Sequence, residues 1–165
     1  MQAVEILDIK QFMHVLLQTP FFDSYDLVSA TIRTDMDYEI NGKWNHSFFD
    51  EAEIDSNKLS DHTYLPWQLA KDKILMLIRG KKTPTVMKLV FKLNNNALST
   101  MLNDSAHNNN PGDIEGVYLN ILFQEQKLNI TCSVSYKIFS LDKSLEQEIW
   151  NNLIESLKSN NVSSQ

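Results

Sequence analysis

The chain is 165 residues long, carries a formal net charge of −6, and is 42% hydrophobic and 22% charged. That length fits one domain able to bury roughly 68–70% of its unfolded surface, so neither a metal nor a disulfide is needed to hold it. The single cysteine, Cys132, excludes an internal disulfide and a cysteine-based zinc site. The acidic balance argues against a general nucleic-acid binder, which needs cationic side chains to displace counterions.

The opening residues, MQAVEILDIKQF, lack the basic segment and long apolar run of a secretory signal. No apolar stretch reaches the roughly 18 residues of a membrane span. A cytoplasmic protein with no membrane segment is expected. Residues 8–19 read as a helix, with Ile9, Phe12, Met13, Leu16 and Leu17 on one face. Asp8 is its N-cap, Gln11 completes a capping-box pattern, and Pro20 ends it.

The period then changes from 3.6 to 2. Val28, Ala30 and Ile32 alternate with polar residues, as do Met36, Tyr38 and Ile40, and then Trp44, His46 and Phe48. This is strand patterning with one apolar face. Asn41-Gly42 between two such runs is a strong hairpin signal, because both residues tolerate positive φ. Trp44, His46 and Phe48 would then face the core. Residues 50–63 are acidic and without period, and read as a surface loop. Pro66 suits a helix start, Trp67, Ala70, Ile74, Leu77 and Ile78 form a helical face, and Gly80 is a plausible stop.

Residues 85–93 read as a strand with Met87, Leu89, Phe91 and Leu93 on one face. Asn94–Asn96 cap a short helix carrying Ala97, Leu98, Met101 and Leu102, and residues 103–113 read as a polar, mobile loop containing His107. Val117 to Phe123 and Leu128 to Ile138 form a hairpin turning near Glu125-Gln126, with Cys132 as a buried, unreactive thiol. A last helix starts at Asp142 and turns Leu145, Ile149, Trp150, Leu153, Ile154 and Leu157 inward; residues 159–165 form a fraying tail. The expected fold is a single α+β domain over residues 1–158. Five to six mainly antiparallel strands would carry helices on one face.

Three places could carry function. The first is the outer face of the sheet, where Val86, Val90, Leu122 and Phe139, beside Tyr118, would form an apolar patch for a protein partner or a second copy. The second is a pocket near His46 and the acidic segment 50–62. Asp50, Glu51, Glu53, Asp55, Asp61 and His62 there could hold a metal or act as acid and base, though without metal-motif spacing. The third is the basic segment 79–92. In it Arg79, Lys81 and Lys82, extended by Lys88 and Lys92, could contact an anion or nucleic acid. Cations at a helix C-terminus also simply complement the helix dipole. No serine-nucleophile elbow, phosphate-binding loop or cofactor fingerprint occurs. A non-catalytic protein-binding domain is the leading reading, with no cofactor.

The stretches FFDSYDLVSATIRT, INGKWNHSFF, LIRGKKTP leading into KLVFKL, GVYLNILF and FSLDKSLEQEIW together resemble a small uncharacterised bacterial domain family of unknown function. They run from near residue 9 to near residue 158. The resemblance implies no activity, cofactor or catalytic residue.

Overall fold

The structure, a computed structural model, describes residues 1–104 and 111–165. Its strands are β1 (Gln2–Ile6), β2 (Tyr25–Arg33), β3 (Asp37–Asn41), β4 (Leu65–Pro66), β5 (Val86–Leu93), β6 (Ile114–Gln124) and β7 (Lys127–Tyr136). Its helices are α1 (Ile9–Gln18), α2 (Glu51–Ser56), α3 (Trp67–Ile78), α4 (Asn95–Asp104) and α5 (Ser144–Ser159). The strands form one antiparallel sheet in the order β1-β7-β6-β5-β2-β3, with β4 also paired to β2. The fold is α+β, as expected. Seven strands replace the expected five to six, because β1 and the two-residue β4 were not anticipated and the run 44–48 is not a strand.

The period-2 residues of β5, β6 and β7 bury Met87, Leu89, Phe91, Val117, Leu119, Ile121, Ile130 and Cys132 on one face. Apolar residues of α1, α3, α4 and α5 join the same core cluster. Trp67 at the start of α3 is fully buried, its ring centroid 4.8 Å from that of Phe91. Its Nε1 donates to the Leu16 carbonyl of α1 at 3.1 Å, which satisfies the one polar atom that burial would otherwise strand. Asp8 caps α1 by accepting from the Gln11 N–H, but the capping box is not closed. The Gln11 side chain instead reaches the Asn160 carbonyl at 2.9 Å.

The β6–β7 hairpin turns at Glu125-Gln126, both at positive φ (52° and 63°), the backbone that a tight hairpin demands. α4 runs on to Asp104; residues 105–110, with His107, lie outside the described residues. The terminal segment, expected to fray, lies along β1. Glu5 and Gln165 exchange backbone hydrogen bonds at 2.9 Å, the Leu7 N–H reaches the Ser163 carbonyl, and Val162 is 1% exposed.

The Asn41-Gly42 hairpin does not form. The β2–β3 connection lies at Thr34–Met36, where the Thr34 N–H donates to the Met36 carbonyl at 3.0 Å. Gly42 has no positive φ. It serves close approach instead: its N–H donates to the Val28 carbonyl and its carbonyl accepts from the Leu65 N–H. A Cβ built there would lie 1.7 Å from the Leu27 carbonyl oxygen. Gly42 thus sits where β3 ends and β4 begins on the same edge of β2. The β2–β5 register also shifts there, between Leu27 and Ser29.

Beyond Gly42 the chain leaves the sheet as an excursion over residues 43–64. His46–Phe48 form a 3₁₀ turn capped by Asn45, so the alternation of Trp44, His46 and Phe48 does not correspond to a strand. His46 is exposed and Trp44 half-buried. The expected loop at 50–63 contains α2, whose Asp50 and Glu53 close a full capping box. Replacing Gly42 with Ala should cost about 3 kcal/mol or more, since the methyl meets fixed backbone. Gly80→Ala, with nothing within 4 Å of its built Cβ, should stay within about 0.5 kcal/mol of the parent. Urea midpoints of the two variants check this pair.

Candidate functional site

Where the excursion returns to the sheet, it frames two distinct features. The first is a crevice between α3 and the edge strand β3. One half of it, about 540 Å³, is lined by Ile40, Trp44, Phe49, Leu65, Ile74 and Leu77 among others, and is mostly apolar. Its lip carries Phe48, 73% exposed, and Met76, 75% exposed. Phe49 meets Trp44 edge-on at 6.2 Å and Phe48 at 5.4 Å, and Lys73 Nζ stands 6.0 Å over the Phe48 ring. His46 stacks on the Trp44 ring at 5.4 Å but does not line the cavity. No carboxylate of residues 50–62 lines it either. The apolar groove is therefore not the pocket expected from sequence near His46; of the residues in that expectation, Asp61 and His62 line a separate small cleft with Asp26 and Lys92.

The other half, about 630 Å³, continues past Met76 and Leu77, which line both. Here the wall is Ile78, Arg79, Gly80, Lys81 and Lys82 on one side and Tyr38, Asp35 and Thr34 on the other. Arg79, Lys81 and Lys82 form no ion pair among the described residues. Lys88 and Lys92 do not extend this cluster. They alternate with the buried residues of β5 and so stand on the opposite, outer face of the sheet.

The second feature is a buried Asp–His pair. Asp26 of β2 is 5% exposed and accepts from His62 Nδ1 at 2.8 Å. Its other oxygen, Oδ1, is buried with no hydrogen-bond partner. Burial raises the Asp26 pKa above the usual carboxylate range; the hydrogen bond and charge of His62, and then Lys92, oppose the rise. The His62 carbonyl accepts from Trp44 Nε1 at 2.6 Å, so the same residue ties the sheet to the crevice wall. Glu146, the other buried carboxylate, has cations beside it at the Met1 amine and Lys143. Cys132 is fully buried and its thiol is pushed up to about 11, chiefly by desolvation, which suits an unreactive thiol.

On the outer face, Val86, Val90 and Leu122 are half-buried diagonal neighbours around Lys88, which pairs directly with Leu122. Tyr118 stands opposite Lys92, whose Nζ lies 5.9 Å from its ring centroid. Phe139, 88% exposed, lies past the Tyr136 end of β7, far from Val86, and does not join them. The crevice itself was missed in the sequence reading. Its walls come from residues around 34–49 and 70–85 together with Leu27 and Leu65, which no local pattern links.

Residues 15–164 match the family described as "Family of unknown function (DUF5721)", and the chain belongs to it. No curated protein and no solved structure matches it. No helix of the described residues is long and apolar enough to cross a membrane.

The buried Asp26 carboxylate has a consequence for stability. Because its folded pKa is raised, its contribution is fully present below its unfolded value of 3.8 and is lost as pH rises through the folded value. Asp26→Asn keeps an acceptor for His62 and removes the titration. Its stability relative to the parent should therefore rise between pH 4 and pH 7 in urea unfolding. An unchanged difference across that range would mean that Asp26 bears no desolvation cost.

Proposed function

We propose that this member of the family is a non-catalytic, cytoplasmic binding domain that receives an apolar segment of a protein partner in the crevice between α3 and β3. The supporting observation is the pairing of a mostly apolar groove of about 540 Å³ with large apolar side chains, Phe48 and Met76, standing in solvent at its lip. Exposed apolar surface of that kind is costly to maintain and marks interaction sites. Aromatic residues and Met are the types enriched where partners dock. The groove also borders β3, which among the described residues pairs only with β2 and leaves its other edge without a strand. A free edge beside apolar pockets is the arrangement used in β-strand addition. The buried free thiol of Cys132 is in keeping with a reducing compartment.

The outer face is a weaker partner surface, because Lys88 interrupts Val86, Val90 and Leu122 and Phe139 is remote from them. A single comparison separates the two. Met76→Glu alters an exposed lip residue and should leave folding within about 0.5 kcal/mol of the parent. Quantitative affinity capture from native lysate should lose its specific protein partner with Met76→Glu and keep it when Val90 and Leu122 are replaced by charged residues. The reverse pattern would move the interface to the outer face. Indifference to both sets would remove the crevice reading.

A further inference from the structure

The geometry points to a specific partner chemistry for this crevice: an extended segment with alternating bulky apolar side chains that runs into acidic residues. This rests on the reading of the crevice as a protein-binding groove. Three observations on the two halves of the crevice carry it.

First, the halves are continuous. Met76 and Leu77 of α3 line both, and residues of the β2–β3 edge form the opposite wall throughout, from Gly42 and Ile40 to Tyr38 and Asp35. A single ligand lying along β3 spans both. β3 has five residues, so a strand laid against it extends for about 17 Å at roughly 3.4 Å per residue.

Second, the chemistry changes along that path. The half at Trp44, Phe49, Leu65 and Leu77 is mostly apolar, although Lys43 and Lys73 also line it, whereas the half at Arg79, Lys81 and Lys82 brings three cations of one short backbone stretch together and takes negative charge. These three cations gather in a chain whose net charge is −6, and no carboxylate pairs with them among the described residues. Asp35 is the one acidic residue on that half's lining. Local charge of opposite sign to the whole protein favours an acidic ligand group at that point and governs register more than raw affinity.

Third, among the described residues no strand pairs with the outer backbone edge of β3 along the crevice. An extended peptide can satisfy it with main-chain hydrogen bonds, while every second side chain turns toward the crevice. A lipid chain with an anionic head could fill both halves, but it would leave that edge unused.

The test is a selection of random displayed peptides on the full-length protein, followed by calorimetry with the enriched peptides and, separately, with dodecanoate. Enriched peptides should alternate bulky apolar residues and carry Glu or Asp at one end. They should lose detectable binding to Met76→Glu and weaken about tenfold against Lys81→Glu/Lys82→Glu. N-methylation of alternate peptide nitrogens in the apolar stretch should abolish binding, which side-chain insertion alone would not require. Peptides that need Met76 but carry no acidic residues, and ignore the lysine reversal, would overturn this inference and leave the partner reading standing. Dodecanoate bound in the crevice with no crevice-dependent peptide, or no ligand at all, would overturn both.

Discussion

The open side of this molecule depends on one backbone approach. At Gly42 the chain passes so close to β2 that any side chain would overlap the Leu27 carbonyl. There it bonds to Val28 on one side and Leu65 on the other. Two strands, β3 and β4, therefore share a single edge of β2 with only one residue of seam between them. The intervening residues 43–64 must leave the sheet at that seam and return to it. The crevice follows from this. Its apolar half is walled on one side by the departing segment at Trp44–Phe49 and on the other by α3, which starts immediately after the returning strand.

The excursion is anchored to β2 by a polar pair as well as by its own buried Ile54 and Leu59. His62 holds Asp26 through its ring and Trp44 through its carbonyl, so the sheet and the crevice wall meet at one residue. The arrangement is not free of cost. Asp26 Oδ1 is buried without a partner, and an unsatisfied buried acceptor typically costs about 1–3 kcal/mol. Ile54 and Leu59 of the excursion bury their side chains and offset part of that cost. An apolar replacement of the pair could be as stable, but it would give up the directional Asp26–His62 bond that anchors His62, whose backbone carbonyl holds Trp44.

Most of the architecture was legible because local signals and tertiary demands agreed. Alternation marked β2, β5, β6 and β7, and the 3.6 period marked α1, α3, α4 and α5, although the N-cap residues of α3 and α5, Pro66 and Lys143, make no side-chain capping bond and α5 begins at Ser144 rather than Asp142. They disagreed at INGKWNHSFF. Asn-Gly favours a hairpin through positive φ, but glycine also permits close backbone approach, and the sequence does not distinguish the two uses. The alternation of Trp44, His46 and Phe48 reflects a 3₁₀ turn rather than a pleat. Two further signals are too short to mark their elements alone. Asp50-x-x-Glu53 is a capping box, obscured by the lack of an apolar period after it. Val4 and Ile6 alternate in β1, in a run of only five residues. The crevice left no such signal, because its walls meet only in three dimensions.

The two edges of the sheet are treated differently. β1 is closed by the chain's own last residues, whose backbone groups occupy its outer edge. β3 has no such cover, although an open edge invites unwanted pairing. Its protection is charge: Asp37 and Glu39 alternate along it, and Arg33 and Thr31 of β2 engage them on the outer face. The crevice side of the same strand, with Tyr38 and Ile40, lacks that protection and faces apolar and basic walls. In the proposed complex, the acidic residues on one face would repel an indiscriminate strand, while the other face would favour one whose apolar and negative groups match the two halves of the crevice. Under the proposed function this open edge is where a partner would be selected, and the Gly42 seam opens the crevice beside it.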